Sequence, residues 1–246
     1  MKSLNPGIVE ISVPSNDMPV ERILPNGARL LTRLTDNQLK RIKRVDKDYR
    51  LKQCSRLKLL TEKNKYIAFD SSLKLVNSRL AIDLVKQIRL MAAQRKKLND
   101  LKREIIILDW GAGSGRALFE IFKELKLNNI INVKLIGFGD IPSNEWNKLP
   151  KGIDMILDVD WKLPLYFKKN SIDIIYSHLG LINMEARYYK MLYSLLQNKG
   201  VLIMDGKRSD VRFPEDNLQN NNCHPVYFLK KVSRKYQFLK KQVYYR

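Results

Sequence analysis

Short apolar runs alternate with stretches of helical periodicity in the middle of the chain. The apolar runs predict five strands, over residues 105–109, 133–138, 155–157, 172–177 and 201–205. Apolar residues at helical spacing predict helices over about 115–127 and 184–197. Strands that alternate with helices are typical of a parallel sheet covered on both faces. We therefore expect a doubly wound α/β sheet from residue 104 onward.

A different pattern precedes residue 104. Extended apolar runs flank Asn26-Gly27 within residues 20–34, which predicts a β-hairpin closed by a two-residue turn. Asp36 is expected to cap a basic amphipathic helix that follows. The buried positions of that helix would be Leu39, Ile42, Val45 and Tyr49.

A second helix is expected over about 78–102, leading into the sheet. Its buried stripe would be Ile82, Val85, Ile88, Met91 and Leu98, with Arg89, Arg95, Lys96 and Lys97 outside. The chain thus divides into a basic N-terminal extension, residues 1–103, and an α/β domain, residues 104–246. After an Asn-rich stretch, residues 225–246 predict a short helix and then a terminal strand.

One glycine-rich loop connects the first central strand to its helix. The sequence there is ILDWGAGSGRALFEI, with glycines at 111, 113 and 115. Glycine permits backbone angles that other residues avoid, and it lets a ligand approach the main chain closely. Neither Arg116 nor Leu118 supplies the last glycine of a dinucleotide fingerprint, and no Gly-Lys-Ser/Thr follows as in a P-loop.

This loop resembles the first motif, (D/E)-x-G-x-G-x-G, of class I S-adenosylmethionine-dependent methyltransferases. NSIDIIYSHLGLIN is similar to the fourth-strand motif of that family, and LLQNKGVLIMDG to its entry into the fifth strand. The resemblance covers about residues 104–206. It implies a Rossmann-like methyltransferase sheet and S-adenosylmethionine as the cofactor.

The resemblance also implies roles for individual residues. Gly111, Gly113 and Gly115 would pass under the methionine part of the cofactor, and Asp109 would orient its amino group. Asp140, one place later than the usual acid, would bind the ribose hydroxyls, since a carboxylate accepts two hydrogen bonds. The alternative for Asp140 is a turn residue at the start of a loop.

The segment ILDVDWKLPL resembles the adenine-binding segment of the family. Asp158 or Asp160 would accept from the exocyclic amine, and Asp158 is favoured because it ends the strand. Trp161 would lie against the adenine or pack under a neighbouring helix.

Ser177 and His178 lie at the carboxyl end of the fourth strand, where the family lines its substrate face. Ser177 is a candidate cofactor contact. His178 is the candidate general base, although a lone histidine is more often a packing residue. The cysteines at 54 and 223 have no metal-ligand spacing, so no metal site is expected.

The distribution of charge along the chain indicates the kind of partner. Residues 1–104 hold 24 Lys and Arg against 11 Asp and Glu, residues 105–206 hold 12 against 11, and residues 207–246 hold 10 against 3. Two basic flanks around a neutral core suggest a polyanionic partner, RNA or a ribonucleoprotein first. Solubility alone and an anionic membrane surface are the alternatives.

The absence of two sequence features disfavours two classes of methylation substrate. YSHLG lacks the Asn/Asp-Pro-Pro-aromatic motif of amino-directed nucleic-acid methyltransferases, and neither cysteine is placed for base-carbon methylation. Three hypotheses remain, namely an RNA methyltransferase, a small-molecule or protein methyltransferase, and a non-catalytic methyltransferase-like component of a ribonucleoprotein. The N-terminus shows no signal peptide and the chain has no long apolar run, so a cytoplasmic protein is expected.

Overall fold

The computed structural model describes most of the sheet and its helices. The described residues are 18–41, 72–97, 103–140, 142–178, 186–205, 223–232 and 235–244. The predicted helix positions Ile42, Val45 and Tyr49 lie outside them, as does Leu98. Within these ranges, no helix is both long enough and apolar enough to cross a bilayer.

The described strands form one sheet. They are β1 Val20–Ile23, β2 Arg29–Thr32, β3 Ile105–Trp110, β4 Val133–Gly139, β5 Ile153–Leu157, β6 Ile172–Ser177, β7 Leu196–Asp205, β8 Cys223–Val232 and β9 Lys235–Tyr244. Their order is β1-β2-β5-β4-β3-β6-β7-β8-β9. Strands β2 to β7 run parallel, whereas β1, and β8 with β9, pair through antiparallel contacts.

Strand β3 lies at the point where the winding of the sheet reverses. From β3 the chain moves outward to β4 and β5, then returns to β6 and moves the other way to β7. Such a reversal opens a crevice at the carboxyl ends of the two central strands, where ligands of doubly wound sheets bind. The predicted doubly wound, Rossmann-like sheet is confirmed.

Helices cover both faces of this sheet. They are α1 Leu73–Leu80, α2 Leu84–Lys97, α3 Arg116–Leu127 and α4 Ala186–Leu195, with short 3₁₀ helices at Asn144–Lys148 and Asp160–Leu165. Buried residues of α1, α2 and α3 share one apolar cluster with one face of the sheet. Residues of α4 and of the 160–165 turn share a second cluster with the other face.

The single helix predicted over 78–102 is wrong, because the chain breaks at Ala81. This residue has a left-handed φ of 48°, and the amide of Ile82 donates to the carbonyl of Asn77 at 3.0 Å, closing α1. Asp83 then begins α2 by accepting from the amide of Lys86 at 2.9 Å. The predicted outward position of Arg95 is also wrong, since its side chain is 12% exposed and pairs with Asp173.

The N-terminal hairpin is present, but its turn is longer than predicted. The amide of Leu24 donates to the carbonyl of Ala28, and that of Gly27 donates to Leu24, both at 2.8 Å. Three residues therefore form the loop, and only Gly27 takes a positive φ, of 90°. This is a type I turn followed by a left-handed glycine, which Pro25 favours by fixing its own φ.

The helix that begins at residue 36 is capped by Thr35 rather than by Asp36. The hydroxyl of Thr35 accepts from the amide of Gln38 at 3.3 Å, and the side-chain oxygen of Gln38 accepts from the amide of Thr35 at 2.8 Å. This reciprocal pair satisfies two backbone donors of the first turn. Asp36 instead forms an ion pair with Arg22 of β1.

Other differences concern the strand ends and the C-terminal segment. Strand β5 begins two residues before the predicted 155, and β7 begins at Leu196 rather than at 201. The predicted C-terminal helix is wrong, because β8 and β9 pair along their whole length. The N-terminal hairpin and α1 and α2 pack against the central sheet, and the proposed division at residue 103 stays a prediction.

Candidate functional site

The glycine loop lies at the carboxyl edge of the sheet, where its winding reverses. After β3 the chain turns through residues 111–115 and enters α3. Gly111, Gly113 and Gly115 have φ values of 84°, 53° and 79°, all in the left-handed region. A side chain with a Cβ adopts this conformation at a cost of about 1–2 kcal/mol. Each of the three positions therefore has a backbone reason for glycine.

Neighbouring groups hold the loop in place. The amides of Gly111 and Ala112 both donate to the carbonyl of Phe138, at 2.9 Å each. From the other side, the indole Nε1 of Trp146 donates to the carbonyl of Gly113 at 2.8 Å. Trp146 is 2% exposed, so this hydrogen bond forms away from solvent. The sequence alone did not predict this support, since Trp146 lies 33 residues beyond the loop in an aperiodic segment.

Gly115 has a second reason to be glycine. A Cβ built at this position would lie 3.0 Å from Cδ1 of Leu149, which is itself buried. The close contact lets Leu149 pack under the beginning of α3. The predicted contact between the cofactor and the main chain of Gly115 stays a prediction.

Asp109 is the buried acid of the site. It is 5% exposed and accepts a hydrogen bond at 2.9 Å from the hydroxyl of Tyr176, on the adjacent strand β6. Burial raises the pKa of Asp109 to about 7, although the Tyr176 hydrogen bond and the charge interaction with His178 act in the opposite direction. The chain thus holds a carboxyl group that ionises near neutral pH beside the glycine loop.

Ser177 and His178 continue from Tyr176 into the same edge. Ser177 is fully buried, and its hydroxyl donates to the carbonyl of Trp110 at 2.8 Å, which ties the ends of β3 and β6 together. His178 is 9% exposed and near enough to Asp109 to lower its pKa. The structure therefore brings Asp109 and His178 together; their cofactor and catalytic roles stay predictions.

The two other predicted acids lie at the ends of β4 and β5. Asp140 directly follows β4 and is exposed. Asp158 is 1% exposed, and its carboxylate accepts from the amide of Val159 at 2.8 Å and from the hydroxyl of Tyr166 at 2.7 Å. Both acids thus lie at the carboxyl edge of the sheet, but the Asp158 carboxylate already accepts two hydrogen bonds within the chain. The side chain of Asp160 lies outside the described residues.

The N-terminal hairpin reaches this edge as well. Arg33 follows β2 directly, and its guanidinium donates to the carbonyl of Leu165 at 3.3 Å and lies 5.5 Å from the ring centre of Tyr166. Trp161, in the same turn, is 55% exposed, so it does not pack beneath a helix. The sequence did not predict Arg33 at the site, because the pairing of β2 with β5 joins segments 125 residues apart.

Among the described residues, no group of three or more His, Cys, Asp or Glu side chains is placed to hold a metal ion. The polar groups at the glycine-loop edge are instead hydrogen-bond acceptors, donors and one histidine.

Comparisons with known proteins found similarity only among solved structures. No family model and no curated protein matches the chain. An S-adenosylmethionine-dependent methyltransferase from Aquifex aeolicus is 16% identical with a TM-score of 0.34, over 55% of this chain and 81% of that one. The DszA carbon methyltransferase is 15% identical with a TM-score of 0.40, over 50% of this chain and 34% of that one.

A third structure is the geranyl diphosphate C-methyltransferase from Streptomyces coelicolor A3(2), with S-adenosyl-L-homocysteine bound. It is 13% identical with a TM-score of 0.32, over 49% of this chain and 50% of that one. The chain thus spans a third to a half of the length of the DszA and geranyl diphosphate enzymes.

Proposed function

We propose that this chain is an S-adenosylmethionine-dependent methyltransferase whose cofactor lies across the glycine loop. The main observation in support is the backbone of that loop. Its three glycines have left-handed φ angles, and the loop lies where the winding of the sheet reverses. The fit is chemical as well, since Asp109 offers the cofactor ammonium a carboxylate whose nearest hydrogen-bond donor is a neutral phenol. When bound, the cofactor supplies an electrophilic methyl group.

The residues of this chain would act mainly by positioning. The main chain at Gly111 and Gly113 would support the methionine part, Asp109 and Ser177 would lie beside it, and Asp140 would take the ribose. Holding a nucleophile and a methyl carbon close and aligned supplies much of the rate of such a displacement. His178, which directly follows β6, would accept a proton from the nucleophile.

Calorimetry with S-adenosylmethionine tests the proposal. Gly113→Val should abolish the binding heat, because a β-branched residue both strains the left-handed backbone and adds bulk where the ligand lies. The matched control is Gly27→Val, which imposes the same kind of strain in the hairpin turn, near the amino-terminal end of β2. The control should bind like the native chain. Equal affinity of both variants and the native chain would overturn the placement.

We further propose RNA as the substrate class, supported by the charge of the flanks. The formal net charge of +21 comes almost entirely from residues 1–104 and 207–246, outside the central strands. Cationic flanks give salt-dependent contacts to phosphates that are largely independent of sequence. Tritium transfer from labelled cofactor into RNA, DNA, protein and lipid extracts tests this, and incorporation into another extract but not into RNA would contradict it.

A further inference from the structure

Helix α2 presents an exposed row of cations. Its buried side contributes Leu84, Val85 and Ile88 to the core. Its exposed cations are Lys86, Arg89, Lys96 and Lys97, which we call the α2 basic face. At 100° per residue these four lie within about 100° of one another around the helix axis, and they extend over about 16 Å.

No acidic residue of the helix compensates these charges. The sequence of α2 is LVKQIRLMAAQRKK, without Asp or Glu, and none of the four cations forms an ion pair with a described residue. Helix α3 is different, because its Arg116 pairs with Glu120 one turn later at 2.9 Å. Like charges three or four residues apart destabilise a helix by a few tenths of a kcal/mol per pair. Only Lys86 and Arg89 form such a pair, since Lys96 and Lys97 lie in the last turn, where the helix dipole favours cations.

The helix is nevertheless held firmly. Near its C-terminus, the guanidinium of Arg95 donates to the carbonyls of Arg103 and Glu104, at 2.7 and 2.8 Å, and pairs with the buried Asp173. Asp173 also accepts from the amide of Ile106 in β3 at 2.9 Å. The α2 basic face is therefore fixed to the sheet, so a partner would meet cations on a rigid support.

We propose that the α2 basic face is a docking surface for the phosphate backbone of RNA. A membrane fits less well, because helices that lie on a bilayer need an apolar face free to enter it, and that of α2 is buried in the core. The inference extends the RNA part of the proposed function, but it concerns binding and requires no methyl transfer.

Fluorescence anisotropy with a labelled 20-nucleotide single-stranded RNA tests this surface. The test variant is Lys86→Gln/Arg89→Gln/Lys96→Gln/Lys97→Gln. We expect at least a tenfold loss of RNA affinity at 100 mM salt. We also expect the slope of log K against log salt to become shallower by about 3, because each of the four lost phosphate contacts contributes about 0.7.

The matched control removes four exposed lysines elsewhere, as Lys126→Gln/Lys151→Gln/Lys168→Gln/Lys169→Gln. Its net charge equals that of the test variant, so a specific surface predicts a clearly smaller loss. Equal losses in both variants, or no loss in either, would overturn the inference. It would also be overturned if polyglutamate or anionic vesicles displaced the labelled RNA as well as unlabelled RNA does. Calorimetry with S-adenosylmethionine on the test variant separates the two proposals, since that affinity should be unchanged.

Discussion

Replacing Asp109 by Asn should raise the free energy of unfolding of the cofactor-free protein at alkaline pH. The asparagine oxygen can still accept from the Tyr176 hydroxyl, but the buried negative charge is gone. The folded-state pKa of Asp109 is about 7, against 3.8 for an unperturbed group. Because the folded state holds the proton more tightly, the native free energy of unfolding falls as pH rises between these values.

The size of the effect follows from the same shift. At 1.36 kcal/mol per pKa unit, the raised pKa lowers the free energy of unfolding of the native chain by about 4 kcal/mol at pH 8 and by about 2 kcal/mol at pH 5. Asp109→Asn should therefore gain about 2 to 3 kcal/mol in relative stability between pH 5 and pH 8. Urea unfolding followed by far-UV circular dichroism measures the difference at each pH.

The control is Asp36→Asn. Hydrogen bonding to Arg22 lowers the pKa of this exposed carboxyl group below its usual value, so its ionisation does not change between pH 5 and pH 8. The stability difference for the control should be flat over this range. A flat difference for Asp109→Asn as well would refute the raised pKa and with it the electrostatic description of the site.

Three further predictions concern the surroundings of the site. Arg95→Met leaves Asp173 buried without its main cation and should lower the free energy of unfolding by about 3 kcal/mol in urea titrations; an effect under about 0.5 kcal/mol would contradict the anchoring role. Trp146→Phe removes the donor to the Gly113 carbonyl and should cost about 1–3 kcal/mol of stability and weaken cofactor affinity in calorimetry; unchanged affinity would show that the loop needs no such support. His178→Gln should lower the methyl-transfer rate about 100-fold with cofactor affinity unchanged; a full rate would exclude it as the base.

The central sheet was predictable because its strands carry strong local signals. Strand β6 was predicted over its observed residues, and β3 and β4 to within one residue at their ends. Buried parallel strands read as unbroken apolar runs between turn residues, a pattern that needs no tertiary information. The glycine loop was predictable for a similar reason, since residue type and backbone angle are directly linked at its three glycines.

The errors arose where tertiary contacts decide the structure. Alanine favours helix, so nothing in the residue type marks the left-handed break at Ala81. The C-terminal apolar residues fit helical and alternating spacing equally well, and pairing with the edge of β7 selects strands there. The hydrogen bonds from Tyr176 to Asp109 and from Trp146 to Gly113 join residues 67 and 33 positions apart, which local patterns do not reveal.

Amide hydrogen exchange with and without S-adenosyl-L-homocysteine tests the location of the cofactor most directly. The peptide that spans residues 109–117 contains Asp109 and the whole glycine loop. Saturating ligand should slow exchange in this peptide and at the end of β6, while the hairpin around Gly27 exchanges as before. Binding that protects other segments and leaves 109–117 unchanged, or no binding at all, would contradict the account.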